Sequence, residues 1–256
     1  MKAIRFERTG GPEVLEVVDL PTPEPGPGQV LVRHEAVGIN FIDTYQRSGL
    51  YPVKLPCTPG GEAAGVIQAV GDGVVRHKVG DRVAYMSGFG AYAEANVVAP
   101  DRAVRIPDGF DSRIAAAILL KGMTTEAFIR RTYPVKAGET VLVHAAVGGV
   151  GQIMTQWLKA LGAEVIATVG SEAKAAKARE LGADHVVLYR EQDVAAEVRR
   201  ITGGKGVPVA YDSVGKDTFE GTLASLARRG LFVSFGNASG PVPPFAPGRL
   251  AQGGSL

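Results

Sequence analysis

Cysteine is almost absent from this chain of 256 residues, Cys57 being the only one. A lone thiol excludes an intrachain disulfide and suits a reducing cytoplasm; Cys57 itself, on a loop before Pro59, reads as a bystander rather than a nucleophile. Excess charge is missing too: the net charge is +2, with acids and bases mixed along the chain. That balance gives no electrostatic case for nucleic acid or a membrane surface. No apolar run approaches a membrane-spanning length, and Met1-Lys2-Ala3-Ile4-Arg5-Phe6 reads as a strand, not a signal sequence. Internal repeats, low-complexity tracts and disordered linkers are also lacking. Apolar residues are plentiful at 45%, enough for buried cores in two moderate domains.

The most informative stretch is Thr140-Val141-Leu142-Val143-His144-Ala145-Ala146-Val147-Gly148-Gly149-Val150-Gly151, an apolar strand that enters a glycine-rich turn. The turn opens a helix at Gln152-Ile153-Met154. Strand, tight turn and helix N-terminus in that order suit a dinucleotide pyrophosphate, because first-turn N–H groups and the helix dipole both favour negative charge. Gly148 and Gly149 leave the backbone open to a phosphate, and Gly151 allows close helix–strand packing. Ala146 stands in the first glycine position of the G-x-G-x-x-G pattern, and Val150 lies within the same loop. A bare glycine pattern is weak; its place between this strand and this helix gives it meaning.

The rest of the chain repeats that grammar. Glu164 to Val169, His185 to Tyr189, Val207 to Asp212 and Leu231 to Phe235 read as further strands. Helices are expected from Glu172 to Leu181 with Ser171 as cap, from Asp193 to Ile201, and from Thr218 to Arg229. Pro208 suggests that the fourth strand starts outside the ladder. Alternating strands and short helices mean a parallel sheet covered on both faces, an α/β doubly wound domain with its ligand at the carboxyl ends of the strands. Earlier runs, Gly28 to Ile39, Ala64 to Val70 and Asp81 to Tyr85, alternate with period two between Gly/Asp turns and read as an antiparallel, barrel-like β domain. A helical stretch from Ser112 to Thr132, interrupted at Gly122, bridges the two. The expected division is 1–122 and 123–256.

Several blocks in order, Gly10-Gly11-Pro12-Glu13-Val14-Leu15, Val37-Gly38-Ile39-Asn40-Phe41-Ile42-Asp43-Thr44-Tyr45, Gly61-Glu62-Ala63-Ala64-Gly65 and Tyr211-Asp212-Ser213-Val214-Gly215, carry a wider likeness. The chain resembles the medium-chain dehydrogenase/reductase superfamily, and within it the bacterial zeta-crystallin-like NADPH:quinone oxidoreductases. The resemblance implies a GroES-like domain followed by a Rossmann domain. Where zinc-dependent relatives carry a cysteine and a histidine, this chain has Asn40 and Gly61, and their four-cysteine lobe has no counterpart. Catalytic zinc needs about three protein ligands with one open position, so a metal-free enzyme is expected. Without a metal an alcohol is a poor substrate, since nothing lowers its pKa. A quinone or an activated alkene needs only alignment and modest polarisation. The resemblance implies that NADPH reduces a quinone without a covalent intermediate; a reductase of α,β-unsaturated carbonyls is the alternative. A structural or RNA-binding crystallin-like role is a non-enzymatic alternative that no basic, aromatic-rich stretch supports.

Asn40, in the place of the lost zinc ligand, either faces the acceptor and donates to its oxygen or caps the helical turn that follows. Tyr45 and Tyr51 match pocket-lining tyrosines of the family, which stack on a flat ring or donate a hydroxyl, with plain packing as the alternative. Thr124 matches a position near the nicotinamide. For the adenosine end, the resemblance assigns Gly170, Ser171, Lys174 and Tyr189 to the 2′-phosphate region. A hydroxyl and an ammonium suit a phosphate there, whereas Glu172 would favour the NAD ribose or simply complement the helix dipole. Ser213 and the run Phe235-Gly236-Asn237 lie at later strand ends, where the rest of the coenzyme should pass. His144, inside a buried strand, reads as a hydrogen-bonded core residue. Family members continue for some tens of residues beyond Gly253-Gly254-Ser255-Leu256, where a sixth strand would begin. A fragment of low stability and poor activity is therefore expected, from a parent that is a homodimer by analogy.

Overall fold

The computed structural model describes residues 1–253 and divides the chain into two compact units, 1–120 and 121–256. The expected opening of a sixth strand after Gly253 lies outside the described residues.

In the first unit, β1 (Lys2–Arg5) and β2 (Glu16–Asp19) form an antiparallel pair. The main sheet holds β3 (Val30–Gly38), β4 (Glu62–Val70), β5 (Arg82–Met86), β6 (Ala95–Val98) and β7 (Ala103–Arg105). Its order is β6-β3-β4-β5-β7, and every pairing is antiparallel, as period-two alternation requires of a half-buried sheet. One face packs Val30, Val32, Ile67, Val83 and Tyr85 together. The other sets small Ala64 and Ala84 against Ala115 and Ala116 of α2 (Ser112–Glu126), so helix and sheet approach closely. Between β3 and β4 lies α1 (Phe41–Ser48), eight residues long where the sequence suggested a single turn. Cys57 pairs through its backbone with Phe6, and its buried thiol packs with Phe6 and Val14.

The second unit is a five-stranded parallel sheet in the order β10-β9-β8-β11-β12. Its strands are β8 (Thr140–Val143), β9 (Glu164–Val169), β10 (His185–Leu188), β11 (Val207–Asp212) and β12 (Leu226–Ser234). The chain runs outward from β8 to β10 and then crosses back to β11 on the other side. That reversal makes the β8 edge the switch point, where a doubly wound sheet opens a crevice. Alternation along β8 assigns the faces. Val141 and Val143 point to the side of α3 (Gly149–Ala160) and α4 (Glu172–Glu180), packing with Met154, Leu158, Ala175 and Ala178. Leu142 points the other way with Ile166, against Val198 of α5 (Val194–Ile201) and Leu223 of α6 (Phe219–Ser225).

Three expectations are corrected. The helix expected to break at Gly122 runs unbroken to Glu126 and loosens only afterwards, into a π-helical turn over Ala127–Thr132; one helical glycine costs only about 1 kcal/mol, too little to stop it. The helix expected to reach Arg229 ends at Ser225, and 226–230 already belong to β12. The Arg199 guanidinium donates to the carbonyls of Ala224 and Leu226, satisfying acceptors that the helix would otherwise need. Arg229 then takes a left-handed φ of 62°. Pro208 does not delay β11, whose Val207 pairs with Leu226; the register shifts before Val209, passing over the proline.

Candidate active site

In the second unit the carboxyl ends of the strands carry the expected coenzyme residues. The loop after β8 folds back on itself, with the Gly148 N–H donating to the Ala145 carbonyl at 2.8 Å and Ala145 at φ 49°. Gly148 caps α3 in an extended conformation, and Val150 lies in the first turn. The first-turn amides of such a helix have no carbonyl one turn back to bond, so they face outward as donors. Ala146 is fully buried beneath the loop. A Cβ on Gly151 would lie 2.3 Å from the Ala145 carbonyl oxygen and 2.8 Å from Ala146 Cα, so only glycine lets the helix start this close. Over Gly149 passes the stem of Lys121, its Cδ and Cε 3.1 Å from where a Cβ would be.

After β9, Ser171 caps α4 and accepts from the Lys174 N–H at 3.4 Å. A Cβ on Gly170 would meet the Tyr189 hydroxyl at 2.9 Å, so the ring from the end of β10 lies over Gly170. The guanidinium of Arg190 sits 5.9 Å from the centre of that ring. Ser171, Lys174, Tyr189 and Arg190 are all exposed. Glu172 is exposed in the first turn of α4, where it complements the helix dipole.

The ends of β11 and β12 meet backbone to backbone. A Cβ on Gly236 would lie 2.6 Å from the Ser213 carbonyl oxygen, and the Phe235 N–H donates to the Asp212 carbonyl at 2.9 Å. Phe235 stacks at 4.8 Å on Phe128, and Asn237 is half-buried in the same loop. Behind these ends runs a buried polar chain. Asp212 Oδ1 accepts from the N–H groups of Val214 and Gly215, and Oδ2 from the hydroxyls of Thr218 and Thr222. Thr222 and Thr168 flank His144 at 3.0 and 2.9 Å, one on each ring nitrogen. Both other partners of the Thr222 hydroxyl, Asp212 and the Thr218 carbonyl, are acceptors, so Nε2 carries a hydrogen toward the Thr222 oxygen; in the neutral ring Nδ1 then accepts from Thr168. Burial pushes the His144 pKa below 6.5, against the pull of Asp212. His144 is the core histidine expected, one residue past the end of β8.

In the first unit, Asn40 caps α1 and is 8% exposed. Its backbone N–H donates to Asp43 at 2.9 Å, and its side-chain amide donates to Glu62 at 2.8 Å. Glu62, fully buried at the start of β4, accepts through its other oxygen from the Leu120 N–H at 2.7 Å. The Tyr92 hydroxyl donates to Asp43 at 2.7 Å, and burial together with that carboxylate holds its pKa well above the usual phenol range. Tyr45 packs against Tyr51 at 5.0 Å and against Phe41 at 5.2 Å. Tyr45 is buried.

Residues 26–108 match the family described as "alcohol dehydrogenase GroES-like domain", and residues 149–255 the one described as "zinc-binding dehydrogenase". The chain is 54% identical over 257 residues to the quinone oxidoreductase of Pseudomonas aeruginosa, covering 100% of this chain and 79% of that protein. The chain belongs to the quinone oxidoreductase family. The Escherichia coli quinone oxidoreductase, solved in complex with NADPH, superposes with a TM-score of 0.98 at 49% identity, covering 100% of this chain and 79% of that one. A 2-haloacrylate reductase from Burkholderia sp. is 43% identical over 93% of this chain and 74% of its own. As a member of the quinone oxidoreductase family, the chain has the Rossmann-type and GroES-like domains that the sequence implied.

In this quinone oxidoreductase the structure gathers Ala146, Gly148, Gly149, Val150, Gly170, Ser171, Tyr189, Ser213, Phe235, Gly236 and Asn237 at the carboxyl edge of one sheet, with Lys174 in the first turn of α4. Asn40, Tyr45 and Tyr51 stand together around α1, since the Tyr51 N–H also donates to the Tyr45 carbonyl. Thr124 is apart from both groups in sequence, half-buried in α2. Sequence reasoning missed Arg190, although a cation beside Tyr189 was readable from the adjacent letter. It also missed Tyr92, which nothing local in the sequence ties to Asp43. Among the described residues, no three of His, Cys, Asp or Glu converge to hold a metal ion. Among them, too, no helix is long and apolar enough to cross a membrane.

Proposed function

We propose that this protein is an NADPH-dependent quinone reductase that needs no metal ion. One observation carries the reading: apart from Thr124 in α2, the residues expected to touch the coenzyme come from five separate segments that each follow the carboxyl end of a parallel strand around one switch point. The donor set fits a dinucleotide phosphate. First-turn amides of α3, with Gly148 at its cap and Gly149 beneath the Lys121 stem, take the pyrophosphate. Ser171, Lys174 and Arg190 supply a hydroxyl and two cations for a 2′-phosphate, and Tyr189 gives a flat face beside them. Bound in this way, the coenzyme supplies reducing equivalents from nicotinamide C4. Thr124 orients that ring, and Ser213 and the Phe235–Asn237 loop line the coenzyme's path. Asn40 donates its remaining amide hydrogen to the acceptor oxygen, while Tyr45 and Tyr51 present an aromatic wall to a planar substrate. Asn40 and Gly61 cannot replace the thiolate and imidazole of a zinc site. Substrates are small molecules, the setting is the cytoplasm, and the active assembly is a homodimer.

The 43% identity to a 2-haloacrylate reductase supports one further reading, reduction of an activated carbon–carbon double bond on the same scaffold. NADPH oxidation measured side by side with a quinone and with an α,β-unsaturated carbonyl separates the two. Faster turnover of the quinone supports the first reading, and turnover of the alkene alone overturns it.

A further inference from the structure

Glu62 is a buried carboxylate on which the function described above makes no demand. It lies across the sheet from Gly38 in the β3–β4 register, and it is fully buried. A Cβ on Gly38 would lie 2.2 Å from Glu62 Oε1 and 2.4 Å from the Ala116 carbonyl, so the absence of a side chain at 38 is what makes room for the carboxylate. One oxygen is fixed by the Leu120 N–H at 2.7 Å, a backbone donor inside α2. The other receives the Asn40 amide at 2.8 Å.

A carboxylate without its proton only accepts, so the end of the Asn40 amide that meets it must be nitrogen. An oxygen there would set two acceptors face to face. The amide of an asparagine otherwise has two near-equivalent orientations, and here the choice is made by a charge. The Asn40 main chain is fixed separately, by Asp43, which also receives the Tyr92 hydroxyl. Backbone and side chain are therefore held from opposite ends.

We infer that Glu62 is a positioning residue: it sets which way the Asn40 amide faces and so keeps an N–H available to the acceptor oxygen. The inference rests on the quinone reductase reading. It makes a specific demand of Glu62→Gln, which keeps the shape and removes the charge. Glutamine offers one oxygen and one NH2, so the Leu120 N–H and the Asn40 amide can no longer each meet a carboxylate oxygen of their own. The backbone donor cannot turn, so the oxygen goes to Leu120 and the NH2 meets Asn40. Asn40 must then reverse, presenting oxygen to residue 62, so that its NH2 leaves the orientation in which Glu62 holds it.

The test is a double-mutant cycle on kcat/KM for a quinone, with Asn40→Ala, Glu62→Gln and the double variant, each with NADPH bound and each checked by thermal unfolding. Glu62→Gln is expected to lower kcat/KM roughly 10-fold, the scale of one lost or misdirected hydrogen bond of about 1.5 kcal/mol. NADPH affinity should be unchanged. The double variant should match Asn40→Ala alone, because a residue acting through Asn40 has nothing left to position. Additive losses, or an unaffected Glu62→Gln, overturn the proposal while wild-type turnover stands; wild-type protein without quinone turnover overturns the reading beneath it. Should Glu62→Gln fail to fold, the side-chain amide signals of wild-type Asn40 decide. One hydrogen protected from exchange supports the proposal, and two equally exchanging hydrogens overturn it.

Discussion

Gly151→Ala adds one methyl group where α3 begins against the β8 loop. The new Cβ would lie 2.3 Å from the Ala145 carbonyl oxygen and 2.8 Å from both the carbonyl carbon and Cα of Ala146. All three are backbone atoms, so no side chain can swing aside, and the helix must move by about 1 Å to restore ordinary contact. Against this stands the better helix propensity of alanine, about 1 kcal/mol. Overpacking of a tight interior costs about 1–3 kcal/mol and often more when backbone must shift. The net expectation is a loss of about 1–2 kcal/mol, or about 2–8 °C in Tm for a chain of this size. The displaced first turn should also weaken NADPH binding about 10-fold, since its amides are aimed as a group. Gly122→Ala is the control: a Cβ there meets nothing within 4 Å outside its own helix, so stability should rise by about 0.5–1 kcal/mol. Calorimetric unfolding and a fluorescence titration with NADPH read both effects. A Gly151→Ala protein as stable as wild type, with unchanged NADPH affinity, would refute the packing argument.

Three further outcomes follow from the same structure. Lys174→Ala should weaken NADPH binding about 10-fold or more while leaving NADH nearly unaffected, because only the former loses a charge-assisted phosphate contact; equal losses for both coenzymes contradict this. Thr222→Val strips one donor from Asp212 and the partner from His144 Nε2, and should cost about 1–3 kcal/mol in urea unfolding. Because burial holds the His144 pKa below its ordinary 6.5, the unfolded chain binds the extra proton first. Its contribution is therefore whole above about pH 6.5 and is lost as pH falls below that and through the folded-state value. Replacing His144 with Asn should flatten that part of the stability–pH curve, and an unchanged slope would exclude the assignment.

Much of the second unit was legible in the letters. Glu164–Val169 and Val207–Asp212 coincide with β9 and β11, because strands buried on both faces appear as unbroken apolar runs between helix caps and glycines. The stretch 226–230 misled because Leu, Ala and Arg favour helix, and only the fold brings Arg199 to the carbonyls that end it. In the first unit, short strands such as β6 and β7 were invisible. Four and three residues carry too little periodicity to stand out, and they are strands because β3 and β5 pair with them. Most of the expected coenzyme residues were picked out because they follow strands; Thr124, inside α2, came only from the family resemblance. The Asn40–Glu62 contact was not readable, since sheet register joins positions that are remote in the chain.

The central claim is that NADPH, held across the carboxyl edge of the parallel sheet, reduces a quinone without help from a metal ion. Steady-state NADPH oxidation with a quinone, run with and without a strong chelator after exhaustive dialysis, tests it most directly. Saturable turnover at the same rate in both arms is the predicted result. No NADPH consumption, or activity that disappears on chelation and returns with added zinc, would contradict it.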